Sequence, residues 1–321
     1  MELDPSVRRA DGDTPTAPAV VVLAGGTGGA KLARGMLDVV SPERVTVVAN
    51  TGDDLEIYGA HVSPDPDLVA FWLADRIGER GWGLEGDTFA VMDALREIGI
   101  EVWFNLGDRD LAWCIERTRM LSEGTTLTAA TRALTASLPT GAQVLPMCDE
   151  SVRTWVATDD GWTSFQEFMI RRRAADPVRG FEFRGVERAR VTPQVTAALA
   201  QAQAVIVGPS NPLVSIDPIL AVPGMADALS ATRAPIVAVS PIVQGRVIKG
   251  PTAAFMEWAG HPLSADGVAE HYGALVDGMV ADEPVSSRPA LRVDTRMDSA
   301  EGRRRVAEST LGFALDLAAR G

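Results

Sequence analysis

Cysteine is almost missing from these 321 residues: only Cys114 and Cys148 occur. Two are too few for a disulfide framework or a zinc site of recognised spacing, and both read as small buried hydrophobes. Lysine is as rare, Lys31 and Lys249 standing against 28 arginines. The three histidines, His61, His261 and His271, form no metal-ligand spacing. No apolar run reaches the roughly 18 residues of a membrane span, and residues 1–18 lack a signal-peptide core, so a cytoplasmic protein without membrane contact is expected. Positive charge is also short. The net charge of −13 and the lack of a basic stripe exclude a nucleic-acid partner, because phosphate neutralisation supplies most of that affinity. What is present is ordinary for a globular protein, 46% hydrophobic and 23% charged. A chain of this length buries about 75% of its unfolded surface and needs no covalent staple.

Residues 1–18, polar and with three prolines, predict a disordered leader. The continuous β-branched run at 19–24 then marks a strand buried on both faces of a parallel sheet. A glycine loop, a helix over 30–40 and a second buried strand at 45–49 follow, which is the opening of a doubly wound α/β fold. Helices are expected over 66–77, 87–98, 111–121 and 126–138, with a short strand at 143–147. Segments 153–156 and 162–165 flank a turn ending in Asp160-Gly161 and read as a hairpin, so that residues from about 150 to 190 form an antiparallel insertion. The α/β pattern returns with a helix over 193–202, a strand at 204–207, a helix over 219–229 and a strand at 235–239. Helices over 268–275 and 303–319 close the chain. Without internal repeats or low-complexity linkers, residues 19–321 are expected to form a single α/β domain, Rossmann-like and mostly parallel, carrying that insertion.

Five segments carry chemistry. Gly25-Gly26-Thr27-Gly28-Gly29-Ala30-Lys31 joins a strand to a helix, where backbone N–H groups and the helix dipole favour an anion. It matches neither a Walker A loop nor GxGxxG, which leaves phosphate binding and a tight turn both open. The second strand ends in Asn50-Thr51-Gly52-Asp53-Asp54 rather than in the lone acid of a nicotinamide site, and Ser63-Pro64-Asp65-Pro66-Asp67 comes soon after. Clustered carboxylates beside a phosphate loop suit Mg²⁺, and one of them could take a proton from an attacking hydroxyl. The alternatives are a solvated turn for Asp53 and Asp54, and helix capping for Asp65 and Asp67. In Gly107-Asp108-Arg109-Asp110, Asp110 reads as a cap and Arg109 as a possible anion clamp. Gly208-Pro209-Ser210-Asn211-Pro212 and Ser240-Pro241-Ile242 each follow a buried strand and open onto the same crevice, the latter leading to Lys249-Gly250-Pro251.

Taken in order, these segments resemble the 2-phospho-L-lactate transferase family of coenzyme F-420 biosynthesis, whose actinobacterial relatives act as phosphoenolpyruvate transferases. The resemblance covers roughly residues 19–315. It rests on GGTGGAK (25–31), NTGDD (50–54), SPDPD (63–67), WGLEGDTF (82–89), LGDRDLA (106–112), LPMCDE (145–150), FQEF (165–168), GPSNPLVSIDPIL (208–220), PGM (223–225) and VSPIVQG (239–245). It implies a guanosine-diphosphate-linked three-carbon acid as donor and the deazaflavin 7,8-didemethyl-8-hydroxy-5-deazariboflavin as acceptor. GMP is then released, Mg²⁺ is the cofactor and the assembly is a homodimer. Gly26, Thr27, Gly28, Gly29 and Lys31 are implied to hold the donor phosphates. Ser210, Asn211 and Ser240 are expected at the donor nucleotide from their loop positions. Asp54 matches the acceptor contact. Asp54 and Asp65 are the expected catalytic carboxylates, and Asp53, Asp54 and Asp65 the expected metal ligands. Met92 stands at a second acceptor position that often carries lysine, so a charge is lost there. The competing class is a non-catalytic nucleotide-sugar-binding regulator of the same superfamily, which has no need of metal ligands. A nicotinamide-dependent dehydrogenase is disfavoured by the missing ribose-binding acid.

Overall fold

Strands made of valine, isoleucine and alanine, with no polar alternation, must be covered on both faces. The computed structural model describes residues 19–320; the expected leader at 1–18 lies outside the described residues. Seven strands form the central sheet: β1 (Val20–Ala24), β2 (Val45–Ala49), β3 (Gln143–Pro146), β4 (Ala204–Val207), β5 (Ile236–Val239), β6 (Gly278–Ala281) and β7 (Ala290–Arg292). All neighbours pair parallel, in the order β3-β2-β1-β4-β5-β6-β7. This is the 3-2-1-4-5-6 order of doubly wound dinucleotide folds with one more edge strand, as the fold class expected. The winding direction reverses between β1 and β4. A crevice therefore opens above their carboxyl ends, which is where such folds take ligands.

Alternate residues of β1 feed two cores. Val21 and Leu23 join one, with Phe168, Leu199 and Phe255, while Val20, Val22 and Ala24 join the other. The second core is closed by α1 (Gly26–Met36), α2 (Pro64–Leu73) and the last helix. Two further helices, α3 (Ala90–Glu97) and α4 (Asp108–Ser122), pack on a satellite cluster of their own. The last helix, α5 (Ala300–Ala318), is capped by Ser299, whose hydroxyl accepts the Gly302 N–H at 3.0 Å.

The structure departs from expectation in particular places. The helix expected from residue 30 begins at Gly26, so the glycines form its first turn and not a loop before it. The helix expected over 219–229 is broken. A π-turn at Pro212–Ile216 runs into Asp217–Leu220, and a new helix, Met225–Ala231, starts after Gly224 at φ +92°. Strands β6 and β7 had no counterpart in the sequence reading, and the solvent-facing pattern of β7 carries no signature of a buried strand. The expected insertion is a three-stranded antiparallel sheet of Arg153–Thr158, Gly161–Ser164 and Gly180–Arg184, turning at Gly161 with φ +108°. Its Thr154 N–H donates to the Gly52 carbonyl at 2.7 Å, so the insertion braces the turn after β2. Among the described residues no single helix is long and apolar enough to cross a membrane.

Candidate active site

A cavity of about 630 Å³ lies over the carboxyl ends of β1, β2, β4 and β5. Its floor combines the first turn of α1 with the loop after β4. These two segments touch backbone to backbone. A Cβ on Gly28 would lie 2.0 Å from the Pro209 carbonyl oxygen, and one on Gly208 would lie 2.9 Å from Gly29 Cα. Ser210 locks the contact, its hydroxyl donating to the Gly25 carbonyl and accepting the Gly25 N–H at 3.3 Å. Gly28 and Gly208 are therefore required by this close approach, and Gly29 by Ala24 Cβ and Ser210 Oγ, which its own Cβ would meet at 2.7 and 2.9 Å. Of Gly26, Gly28 and Gly29, Gly26 alone has open space where a Cβ would stand, and it needs its freedom for φ +62°.

The loop residues expected at a donor nucleotide do line the cavity, with their hydroxyls and amide oxygen committed locally. Asn211 Oδ1 accepts the Leu213 N–H at 3.0 Å, while its Nδ2 has no partner. Ser240 Oγ accepts the Ile242 N–H at 3.1 Å and holds its own turn. Lys31 and Lys249 stand at the same end of the cavity, with Lys249 Nζ 3.4 Å from Thr27 Oγ1.

The carboxylates divide sharply. Asp65 does not cap α2. Its Oδ1 accepts the Gly26 N–H at 2.7 Å and its Oδ2 accepts from Asn50 Nδ2 at 3.0 Å, tying the acidic segment to the glycine turn. Asp53 also faces the cavity, 6% exposed, with Oδ1 unpartnered. Burial, then the charge of Asp65, raises its pKa well above the usual carboxylate range, and burial raises that of Asp65 as well.

Asp54, expected as catalyst, acceptor contact and metal ligand, is not part of the cavity wall. Its side chain has no exposed surface, Oδ2 lies 3.0 Å from His61 Nε2, and Oδ1 accepts the Ser63 hydroxyl at 2.8 Å. The hairpin Leu55–Ile57/Ala60–Val62, which the sequence reading did not resolve, delivers His61 to it. The other ring nitrogen, Nδ1, sits 3.0 Å from Glu56 Oε1. Burial opposes protonation of His61, but Asp54 and Glu56 outweigh it and lift the pKa to about 8. Glu56 is in turn held down to about 2, chiefly by His61.

Two further expectations are corrected. Met92 is fully buried among Val62, Phe104, Leu106, Leu111 and Cys114, so it packs the satellite core and does not reach the cavity. Arg109 is no anion clamp: its guanidinium donates to the Glu85 carbonyl at 3.2 Å, outside the cavity. The GDRD segment instead caps reciprocally. Asp108 accepts the Ala90 and Val91 N–H groups of α3, each at 3.0 Å, and Asp87 accepts the Arg109 N–H of α4 at 2.8 Å. Asp110 does line the cavity, and burial, with the neighbouring Asp67 and Asp87 charges, pushes its pKa up to about 7.

Sequence reasoning missed the apolar walls. One group is aromatic, from Phe71, Trp82, Trp103 and Phe104, and another comes from the insertion through Phe165, Met169 and Ile170. The signal was present in the tryptophans and in the FQEF segment, but only the fold turns them toward one space. Asp67, Asp110 and Cys114 bring ligand-type atoms within 4.8 Å of one another. The buried Arg117, which donates to Asp67 Oδ1, already supplies the cation there, and burial keeps the Cys114 thiol protonated.

Comparison with known proteins bears on the family and the fold. Residues 20–311 match the family model described as 2-phospho-L-lactate transferase CofD. The chain is 38% identical over 299 residues to a 2-phospho-L-lactate transferase of Methanosarcina mazei, covering 90% of this chain and 98% of that one. It is 39% identical over 318 residues to a phosphoenolpyruvate transferase of Thermobifida fusca, covering 93% and 98%. A solved structure of a upf0052 family protein from Bacillus halodurans superposes with a TM-score of 0.57 at 18% identity, over 91% of this chain and 98% of that one. At that identity the likeness bears on the fold alone.

Proposed function

The chain belongs to the CofD family of 2-phospho-L-lactate transferases, and from that premise we propose that it transfers a phosphorylated three-carbon acid from a guanosine-diphosphate-linked donor to a deazaflavin. The terminal ribityl hydroxyl of the acceptor attacks the phosphorus that bears the three-carbon acid. A phosphodiester forms, the bond to the bridging oxygen breaks, and GMP leaves. The observation that carries this reading is the polarity of the cavity. The unpartnered donor Asn211 Nδ2 lines the cavity together with Lys249, which has no ion pair among the described residues and donates to Thr27 Oγ1 at 3.4 Å. The unpartnered Asp53 Oδ1 stands on the same floor, and the aromatic wall rises beside it. Such a space suits a phosphate, a cation and a flat ring system together.

Mg²⁺ is the proposed cofactor, held by Asp53 and Asp65. The fit rests on the free buried oxygen of Asp53 and on the mutual repulsion of two buried carboxylates that a dication would relieve. Asp54 stands off the cavity wall, its oxygens turned to His61 and Ser63. When bound, the ion supplies neutralisation of the charge on the transferred group and on the leaving phosphate. The chain's own residues do the rest. The first turn of α1 positions the donor phosphates, and the insertion, through Thr154, holds the Asp53 turn in place. The apolar walls exclude water from a reaction that asks for positioning and charge neutralisation more than for a strong base.

Relatives of both names match almost equally, at 38% and 39% identity, so the acid itself is decided by experiment. Lactyl, enolpyruvyl and glyceryl donors are each incubated with the deazaflavin and Mg²⁺, and products are read by mass spectrometry. One donor should give the phosphodiester adduct; the absence of an adduct with all three would overturn the reading.

A further inference from the structure

The chain has 43 acidic residues and two lysines, and the two lysines meet at one end of the cavity. Lys31 lies one helical turn beyond Thr27 on α1. Lys249 follows the short hairpin Ile242–Val243/Arg246–Val247 and brings its Nζ to 3.4 Å from Thr27 Oγ1. Among the described residues Lys249 has no ion pair. Lys31 has only Asp298, at 3.4 Å, whose side chain is 73% exposed, and such a pair contributes little. Lys249 is exposed at the rim of the cavity, where partial desolvation and the charge of Lys31 both lower its pKa. Asn211 Nδ2, on the same floor, is a further donor with no acceptor. A set of donors and cations in this state is complementary to a multiply charged anion. The glycine turn by itself does not say that a cation from the other half of the chain takes part.

We propose that Lys249 is a phosphate-binding residue of this site, holding a diphosphate group jointly with Lys31 and the Thr27 hydroxyl. The proposal rests on the transferase reading and extends it to a residue carried by the segment after β5. The same chemistry could serve the carboxylate of a three-carbon acid, so the test separates the two.

Titration calorimetry is run on the wild type, Lys249→Met and Lys249→Arg with inorganic pyrophosphate, GDP and pyruvate, after thermal melts establish that the variants fold. Loss of the charge should weaken pyrophosphate and GDP binding on the order of tenfold to a hundredfold, the scale of a hydrogen bond to a charged group, with arginine restoring most of it. Pyruvate binding should not change. Pyrophosphate binding by the wild type without GDP binding, if lost in Lys249→Met, upholds the lysine and refutes the nucleotide donor. Equal pyrophosphate affinity in wild type and Lys249→Met overturns the proposal, as does a wild type that binds none of the anions or a loss confined to pyruvate.

Discussion

At the turn after β2, Asp53 presents an unpartnered oxygen to the cavity, while Asp54 gives both of its oxygens to His61 and Ser63. This division sets what each substitution does. Asp53→Asn should lower kcat on the order of 10²-fold, the scale of one electrostatic contact to a transition state. It should leave the melting temperature unchanged or raised, because a buried repulsive charge is removed. Asp54→Asn should instead cost about 1–3 kcal/mol of stability in urea titrations, since it leaves the buried imidazolium short of a partner. His61 gives the second effect a pH signature. Its pKa is raised from 6.5 to about 8 in the folded protein, so its stabilising contribution is complete below about pH 6.5 and is lost as pH rises through 8. Urea midpoints of the wild type should fall across that window more steeply than those of Asp54→Asn; parallel profiles would refute the network. The sequence reading named both acids as metal ligands and gave the chemistry to Asp54; which of two adjacent carboxylates faces the cavity depends on the hairpin carrying His61, which that reading did not resolve.

At the scale of elements, the buried strands β1, β2, β4 and β5 were legible because β-branched runs without alternation have few other uses, while β6, buried but with glycine and methionine in its four residues, was not. The start of α1 was not. Glycine disfavours helix, and the helical turn over Gly26–Gly29 is imposed by packing: the loop after β4 comes so close that a Cβ cannot fit at Gly28. Gly28→Ala should therefore lower stability far more than Gly26→Ala, whose Cβ meets nothing within 4 Å and whose cost is the roughly 1–2 kcal/mol of a left-handed backbone. Thermal melts of the two variants check this, and equal losses would show that the two loops do not touch as described. The break at Gly224 and the edge strand β7 were invisible for a related reason. Helical periodicity runs through the first, and the second draws its conformation from pairing with β6, not from its own side chains.

For the whole molecule, strand order explains why so much of the floor could be read in advance. The glycine turn, the Asn50–Asp54 turn and the loops at Gly208 and Ser240 follow β1, β2, β4 and β5 of one parallel sheet, and a doubly wound sheet brings those ends together at the β1/β4 reversal. The walls follow no such rule. Trp82, Trp103 and Phe165 belong to segments far apart in sequence that meet only through tertiary packing, and so the apolar half of the site was not legible. The account stands on the claim that this one cavity couples donor cleavage to acceptor attack. The most direct measurement is the stoichiometry of GMP and deazaflavin adduct, quantified together with and without the acceptor. The account predicts equal amounts of the two products from the wild type, a marked loss of both in Asp53→Asn, and no GMP without acceptor. GMP released at the same rate without the deazaflavin, or adduct formation unaffected in Asp53→Asn, would contradict it.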